Sequence, residues 1–261
     1  MNGVVDLNIY QMISAYIFVL ILLFIVKLRE IPREKEILIS TIRMTIQLVL
    51  TGYILGAIFN SSNPIITLII IGIMEIFAIH NIFKRTKAEL TRELKRIIGF
   101  SMLIGTLISL FYFLIVVVRV EPWYDPRYFI PLGGMVVGNS MTGISLGIMN
   151  LMEGFNGRKD MVETALMLGA TPKMASRDIV NNAFDSAILP TINSMVGMGI
   201  IFLPGMMTGQ ILSGTSPLLA IRYQIAIMLG IMGSVSLTVI LFLQFGYKTF
   251  FTKDAQLIAR E

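Results

Sequence analysis

Seven stretches of this 261-residue chain are apolar enough, and long enough, to cross a lipid bilayer. A hydrocarbon core of about 30 Å takes about 20 apolar residues per helix. The stretches lie at roughly 9–26, 37–59, 64–83, 97–118, 130–151, 185–212 and 217–246. Runs such as Ile65–Ile73 and Leu110–Val118 are apolar on every side, whereas the strands of a membrane barrel alternate. The expectation is therefore an all-α integral membrane protein: one polytopic domain over residues 1–261, with about seven transmembrane helices. Composition agrees. Charged residues make up 14 % of the chain, against about 25 % in soluble domains, too few to cover a water-facing surface.

Orientation follows from the short loops, where Lys and Arg stay on the cytosolic side. Lys27, Arg29, Arg33 and Lys35 follow the first stretch, and Lys84, Arg85, Lys87, Arg92, Lys95 and Arg96 the third. Arg158, Lys159, Lys173 and Arg177 follow the fifth, and Lys248, Lys253 and Arg260 the last. Seventeen of the 21 basic residues thus fall on one side and only Arg119 and Arg127 on the other. The expected topology is N-terminus outside, C-terminus cytosolic. Residues 1–8 hold no basic residue, which disfavours a cleavable signal peptide and favours a retained first anchor. The basic residues sit in loops between apolar spans and not on a soluble face, so a nucleic-acid partner is not expected.

Loops this short hold no catalytic domain. There is no Gly-x-x-x-x-Gly-Lys-Ser/Thr phosphate cradle, so any nucleotide energy must come from another chain. The absence of cysteine excludes disulfides and thiolate metal sites, and the single His80 builds no multi-His site. Methionine is frequent, with Met195/Met198 and Met149/Met152 at a spacing known from soft-metal pathways. Spread as they are through every region, the methionines read as flexible apolar filler.

Polar groups within the spans each need a reason, because an ionised side chain at a helix centre costs about 2.5–3.5 kcal/mol on insertion scales. Arg43 lies roughly 9 Å from the cytosolic end of its span, within snorkelling reach. Gln47 is one turn deeper on the same face. Glu75 lies about 12 Å in and either pairs with a cation, carries a proton, or stays neutral and hydrogen-bonded. Glu75 and His80 are five apart, about 140° around a helix, and cannot chelate one ion unaided. Asn139 and Asn193 suit interhelical hydrogen bonds and are also oxygen donors for a hard cation. Gly-x-x-x-Gly pairs at Gly52/Gly56, Gly134/Gly138, Gly143/Gly147 and Gly205/Gly209 suggest tight helix packing. Pro190, Gly197, Gly199, Pro204 and Gly205 interrupt the sixth stretch, and broken helices are tolerated where they line a cavity. A bend or break is expected near Pro204–Gly205, with the substrate path or its gate around 190–210.

The cytosolic segment of about 152–182 carries the most information. Val162, Ala165, Leu166 and Gly169 share one helical face. Gly169 reads as a helix breaker, Thr171 as the cap of a second helix, and Pro172 as its first residue. The segment is thus helix, sharp turn, helix: either an inert surface connector or a docking element.

Glu163, Ala165 and Gly169 resemble the Glu-Ala-Ala…Gly coupling loop of ABC-transporter permeases, which presents a short helix to a groove on the ATPase. Importers place a Leu-Pro pair about a dozen residues after that Gly, whereas Pro190 falls 21 positions after Gly169. A closer resemblance covers nearly the whole chain. The runs "LGATPKMAS", "LPT" and "LPGMMTGQILSGTSPLLAIRYQI", with "RMTIQLVLTGYIL" and "GGMVVGNSM", are similar to the permease of FetB-type ABC transporters. That family is linked to bacterial iron export and includes plant permeases tied to aluminium tolerance.

The resemblance implies an exporter subunit in the bacterial inner membrane, a homodimer bound to a separate cytosolic ATPase that carries ATP and Mg, with iron as cargo. The chain itself would hold no cofactor and be no enzyme, and its metal ligands stay unknown. On this basis Glu163, Ala165, Gly169, Ala170, Thr171 and Pro172 are the candidate coupling residues. Arg43, Gln47, Glu75, Asn139, Asn193, Pro204, Gly205, Met206, Gln210 and Gln224 are the candidates for the path or gate. The alternative is a proton-coupled secondary transporter, with Glu75 carrying the proton and no ATPase.

Overall fold

The computed structural model describes residues 6–59, 63–86 and 90–258, so Lys87 and Arg260 of the basic count, and residues 1–5 of the N-terminus, lie outside the described residues. Every regular element among the described residues is helical. Six helical segments are long and apolar enough to cross a membrane: Ile9–Leu28, Glu34–Ile58, Pro64–Arg85, Arg92–Val118, Pro126–Gly157 and Pro217–Phe250. The chain is a multi-pass membrane protein.

The helices group into two compact units. The first holds α1 (Ile9–Ala15), α2 (Ile17–Leu28) and α3 (Glu34–Ile58), together with Gln210–Thr215. Asn8 starts α1 with a capping box, its carboxamide oxygen accepting from the Gln11 amide at 2.9 Å while Gln11 Oε1 accepts from the Asn8 amide. The Tyr16 and Thr45 hydroxyls meet at 2.6 Å and tie α2's start to α3. None of α3's side chains is buried.

The second unit runs from Asn63 onward, Gln210–Thr215 excepted. Its bundle consists of α4 (Pro64–Arg85), α5 (Arg92–Tyr112), α6 (Pro126–Gly157), α9 (Arg177–Gly197) and α11 (Pro217–Gly246), with the short α7 (Lys159–Met167) and α8 (Pro172–Ala175) between α6 and α9. Local chemistry sets the starts. Asn63, Thr91 and Asp125 accept from the first free amides of α4, α5 and α6, and Pro64 and Pro126 take first-turn positions where no amide is needed. Each long helix buries one stripe at helical spacing, such as Leu94, Ile98 and Met102 on α5, or Ile231, Val235 and Val239 on α11. The opposite faces, with Ile104, Ile108 and Leu229, are exposed and apolar, as lipid demands.

Lipid is as apolar as leucine, so close packing and hydrogen bonds must hold the helices together. Gly105 of α5 lies directly against Thr238 of α11: a Cβ there would stand 2.8 Å from the Thr238 Cα. Gly143 of α6 lies similarly against Val235 and Val239 of α11. One turn before Gly143, the Ser140 and Ser234 hydroxyls meet at 3.0 Å in the core, a contact of a kind that contributes about 0.6 kcal/mol in membranes. Of the four Gly-x-x-x-Gly pairs, Gly143/Gly147 is the one pressed by two neighbouring helices, while a methyl group added at Gly52, Gly56, Gly205 or Gly209 would meet no atom within 4 Å.

The two ends of this bundle differ. One carries an aromatic cluster in which Phe111, Trp123 and Phe129 have ring centroids 5.8–6.1 Å apart, with the Thr67 hydroxyl donating to the Tyr124 carbonyl at 3.2 Å. The other holds the end of α6 against the 3-10 turn Tyr247–Phe250 that follows α11, through Phe155 stacked on Phe250 at 4.2 Å, and Arg158, Lys159, Lys173, Arg177 and Lys248 lie in the segments that meet or adjoin this end.

Among the described residues six helices are long and apolar enough to cross a membrane, while α9, which carries Asp178, Asn181, Asn182 and Asp185, packs with α6 and α11 in the same bundle at Gly143 and Gly147. The stretch 185–212 is not one span: α9 ends at Gly197, the chain turns through residues 198–204, and α10 (Gly205–Leu212) resumes. The break arises because Gly199 takes φ +84 and its amide turns to the Phe202 carbonyl at 2.9 Å, off the helical ladder. It therefore sits just ahead of the expected Pro204–Gly205. Pro190, by contrast, is absorbed inside α9. The segment 152–182 holds the end of α6 to Gly157, then α7 and α8, and the start of α9 at Arg177.

Candidate functional site

The hairpin of α7 and α8 forms as its sequence requires. The amide of Gly169 donates to the Leu166 carbonyl and that of Ala170 to the Ala165 carbonyl, both at 3.0 Å. That pair of bonds is a Schellman ending, whose pivotal residue needs a left-handed backbone. Gly169 supplies it at φ +88. Thr171 then caps α8, its hydroxyl accepting from the Met174 amide at 3.3 Å, and Pro172 takes the first helical position.

The hairpin is amphipathic in an unusual sense. Val162 is fully buried, and Ala165 and Leu166 pack half-buried against the core, so one face of α7 is fixed to the bundle. The tip is apolar as well, yet open: Met167 is 85 %, Leu168 83 % and Met174 68 % exposed. Met167 and Leu168 lead into the turn at Gly169, and Met174 lies on α8. Sequence reasoning missed these three residues, although their position beside Gly169 and outside the Val162 stripe was a usable signal. Glu163 pairs with Lys159 at 3.9 Å, both half-exposed, and does not cap an amide. Such a pair contributes about 0.5 kcal/mol or less.

The path candidates fall in both units. Arg43 and Gln47 lie one turn apart on α3 with exposed side chains. Gln210 is half-buried, and its carbonyl accepts from the Thr215 amide at 2.9 Å. In the second unit Asn139 is exposed and folds back to its own helix, donating to the Met135 carbonyl at 2.7 Å. Asn193 is exposed on α9, and Gln224 is buried on α11. Pro204 and Met206 are half-buried, Gly205 is exposed, and the Pro204 carbonyl accepts from both the amide and the hydroxyl of Thr208. Among the described residues no hydrogen bond joins any two of Glu75, Asn139, Asn193 and Gln224. No three of His, Asp and Glu among them could hold a metal ion.

Glu75 is 1 % exposed in the core between α4 and α5. The Thr106 hydroxyl, which also contacts the Met102 carbonyl, hydrogen-bonds to its Oε1. Among the described residues its Oε2 and the Ser101 hydroxyl of α5 have no hydrogen-bond partner. Thr106 and Ser101 were invisible in the sequence, because a hydroxyl in an apolar span is common and its partner lies 31 residues away.

A family model described as "Uncharacterised protein family (UPF0014)" matches residues 9–251. The Bacillus subtilis "UPF0014 membrane protein YjkA" is 35 % identical over 249 residues, 94 % of this chain and 96 % of that protein. The Arabidopsis thaliana "Protein ALUMINUM SENSITIVE 3" is 34 % identical over 244 residues, covering 94 % and 88 %. The Escherichia coli "Probable iron export permease protein FetB" is 30 % identical over 247 residues, covering 95 % and 93 %. No solved structure matches. Relatives aligned over nearly the full length, and a family match spanning both units, agree with the resemblance carried by the Gly-Ala-Thr-Pro turn and the Leu203–Ile225 run. The chain belongs to the UPF0014 family of membrane proteins, which includes a relative named as a permease.

Proposed function

We propose that the chain is the membrane subunit of an ATP-driven ABC exporter. A separate cytosolic ATPase carries ATP and Mg, two copies of the chain form the permease, and iron is the cargo. The observation that carries this reading is the hairpin tip. Met167, Leu168 and Met174 are apolar, exposed and held by a turn fixed to the bundle on its other face, a form suited to a groove on a partner. The relative named as an iron export permease supports the cargo. The basic asymmetry supports a cytosolic hairpin and C-terminus and an external N-terminus, in a bacterial inner membrane.

Mechanically, α9 joins the hairpin to the break at residues 198–204. A helix of 21 residues is about 30 Å long and stiff. ATP-driven displacement of the hairpin is thereby delivered to a segment where backbone bonding is already interrupted, and where little energy is needed to change shape.

The absence of cysteine provides a clean test. In Leu168→Cys the added thiol is the sole one, and a membrane-impermeant maleimide should label it in inverted vesicles but not in intact cells. Bound ATPase should protect it. Labelling in intact cells, or no protection by an ATPase that co-purifies, would refute the docking assignment.

Glu75 favours a second reading, proton-coupled transport, since a buried carboxyl with a free oxygen is suited to proton transfer. Glu75→Gln distinguishes the two. It keeps a hydrogen-bonding group beside Thr106, so ATP-driven flux should stay within about twofold of the parent, allowing about 0.5 kcal/mol for altered bonding. Complete loss of flux in an inserted, folded variant would favour the proton carrier.

A further inference from the structure

A groove of about 610 Å³ runs between the start of α9 and the end of α11, at the basic end of the bundle. A smaller hollow of about 290 Å³ adjoins it and shares Lys173 and Tyr247. The groove has two chemical halves. At its mouth lie Lys173 and Arg177, with Lys248 lining the adjoining hollow. Further along, Val180 and Phe184 of α9 face Ile240 and Leu243 of α11.

The two walls have matching lengths. Arg177 to Phe184, and Tyr247 to Ile240, are each seven residues, or about 10 Å of helix. No acidic residue lines either hollow. Among the described residues none of the three cations has an acidic partner, and Lys248 has only the Phe245 ring at 5.8 Å. A soluble anion would fit the mouth but leave the apolar length bare. A soluble protein would have to reach about 10 Å along the transmembrane helices to fill it. An amphiphile with a negative head and an apolar tail matches both halves, and basic hollows between helices at this level of the membrane suit anionic headgroups.

We propose that this groove binds an anionic phospholipid, its headgroup phosphate among Lys173, Arg177 and Lys248 and an acyl chain along Val180, Phe184 and Ile240. Because Lys173 belongs to α8, the bound lipid links the coupling hairpin to the end of α11. This site stands on its own geometry and does not depend on the ATP-driven reading.

The test uses the full chain purified in detergent, with binding followed by native mass spectrometry and by the thermal unfolding midpoint. Probes are phosphatidylglycerol, phosphatidylcholine and inorganic phosphate. Phosphatidylglycerol should bind at least about tenfold more tightly than phosphatidylcholine. The triple variant Lys173→Gln, Arg177→Gln, Lys248→Gln should lose that preference. A control with equal charge loss, Lys84→Gln, Arg85→Gln, Lys95→Gln, should keep it. Ile240→Trp, which narrows the apolar half at an exposed position, should weaken phosphatidylglycerol binding with the basic mouth intact.

Equal loss in the control triple would overturn the proposal, as would equal binding of both lipids. Stabilisation by inorganic phosphate as large as that by phosphatidylglycerol would also overturn it, leaving only a soluble-anion site. So would displacement of phosphatidylglycerol by the bound ATPase with cross-links from Ile240, which would make the groove part of the protein interface.

Discussion

On the proposed ABC reading, Gly169→Val should lower ATP-driven transport at least about tenfold in vesicles that hold the chain with a partner ATPase, while the chain stays inserted and folded. The left-handed conformation of Gly169, φ +88, costs a β-branched residue about 1–2 kcal/mol or more, and about 1.4 kcal/mol is a factor of ten. No atom lies within 4 Å of a Cβ placed there, so the valine does not clash with the bundle. The damage is confined to the turn. The amides of Gly169 and Ala170 lose their carbonyl partners, and Met167, Leu168 and Met174 no longer present one surface. Gly169→Asn is the informative companion, because Asn tolerates the left-handed region and should retain most of the flux. If Gly169→Val transports normally, the hairpin is an inert connector.

The second large effect is on stability. Gly105→Ala should lower the unfolding midpoint of the purified chain clearly, and Gly105→Leu should prevent recovery of folded protein. A Cβ at residue 105 meets not only the Thr238 hydroxyl but the Thr238 Cα at 2.8 Å and Cβ at 2.9 Å. Backbone of a neighbouring helix cannot rotate aside as a side chain can, so α5 and α11 must separate. Overpacking of this kind costs about 1–3 kcal/mol for small additions and more for large ones. Gly138→Ala on α6 is the control: nothing lies within 4 Å of the added methyl, and the helix gains about 0.5–1 kcal/mol from the replacement. Equal behaviour of Gly105→Ala and Gly138→Ala would show that α5 and α11 do not touch at this glycine.

These two glycines show what could be read in advance. Gly169 was legible because everything that shapes its turn is local: a helical stripe before it, then Ala-Thr-Pro after it. Gly105 was not, because its partner lies 133 residues along the chain and no spacing rule joins them. The glycine pairs that did have a spacing signature were mostly uninformative, with Gly143/Gly147 the exception. The spans were legible from the demand that lipid places on every backbone polar group. The break within 185–212 was legible from Gly197, Gly199 and Pro204, and only its place, just ahead of Pro204, depended on which glycine took the left-handed turn. Asn139 was misleading for a related reason. Asn139 satisfies itself one turn back on its own helix, so a polar residue within a span need not face another.

The most direct measurement is flux of iron ions across vesicles reconstituted with the chain, with and without its ATPase, under ATP or under an imposed proton gradient. An ATP-driven exporter gives flux only with the ATPase and ATP together, and none from the proton gradient alone. Flux driven by the proton gradient in vesicles lacking the ATPase would contradict it.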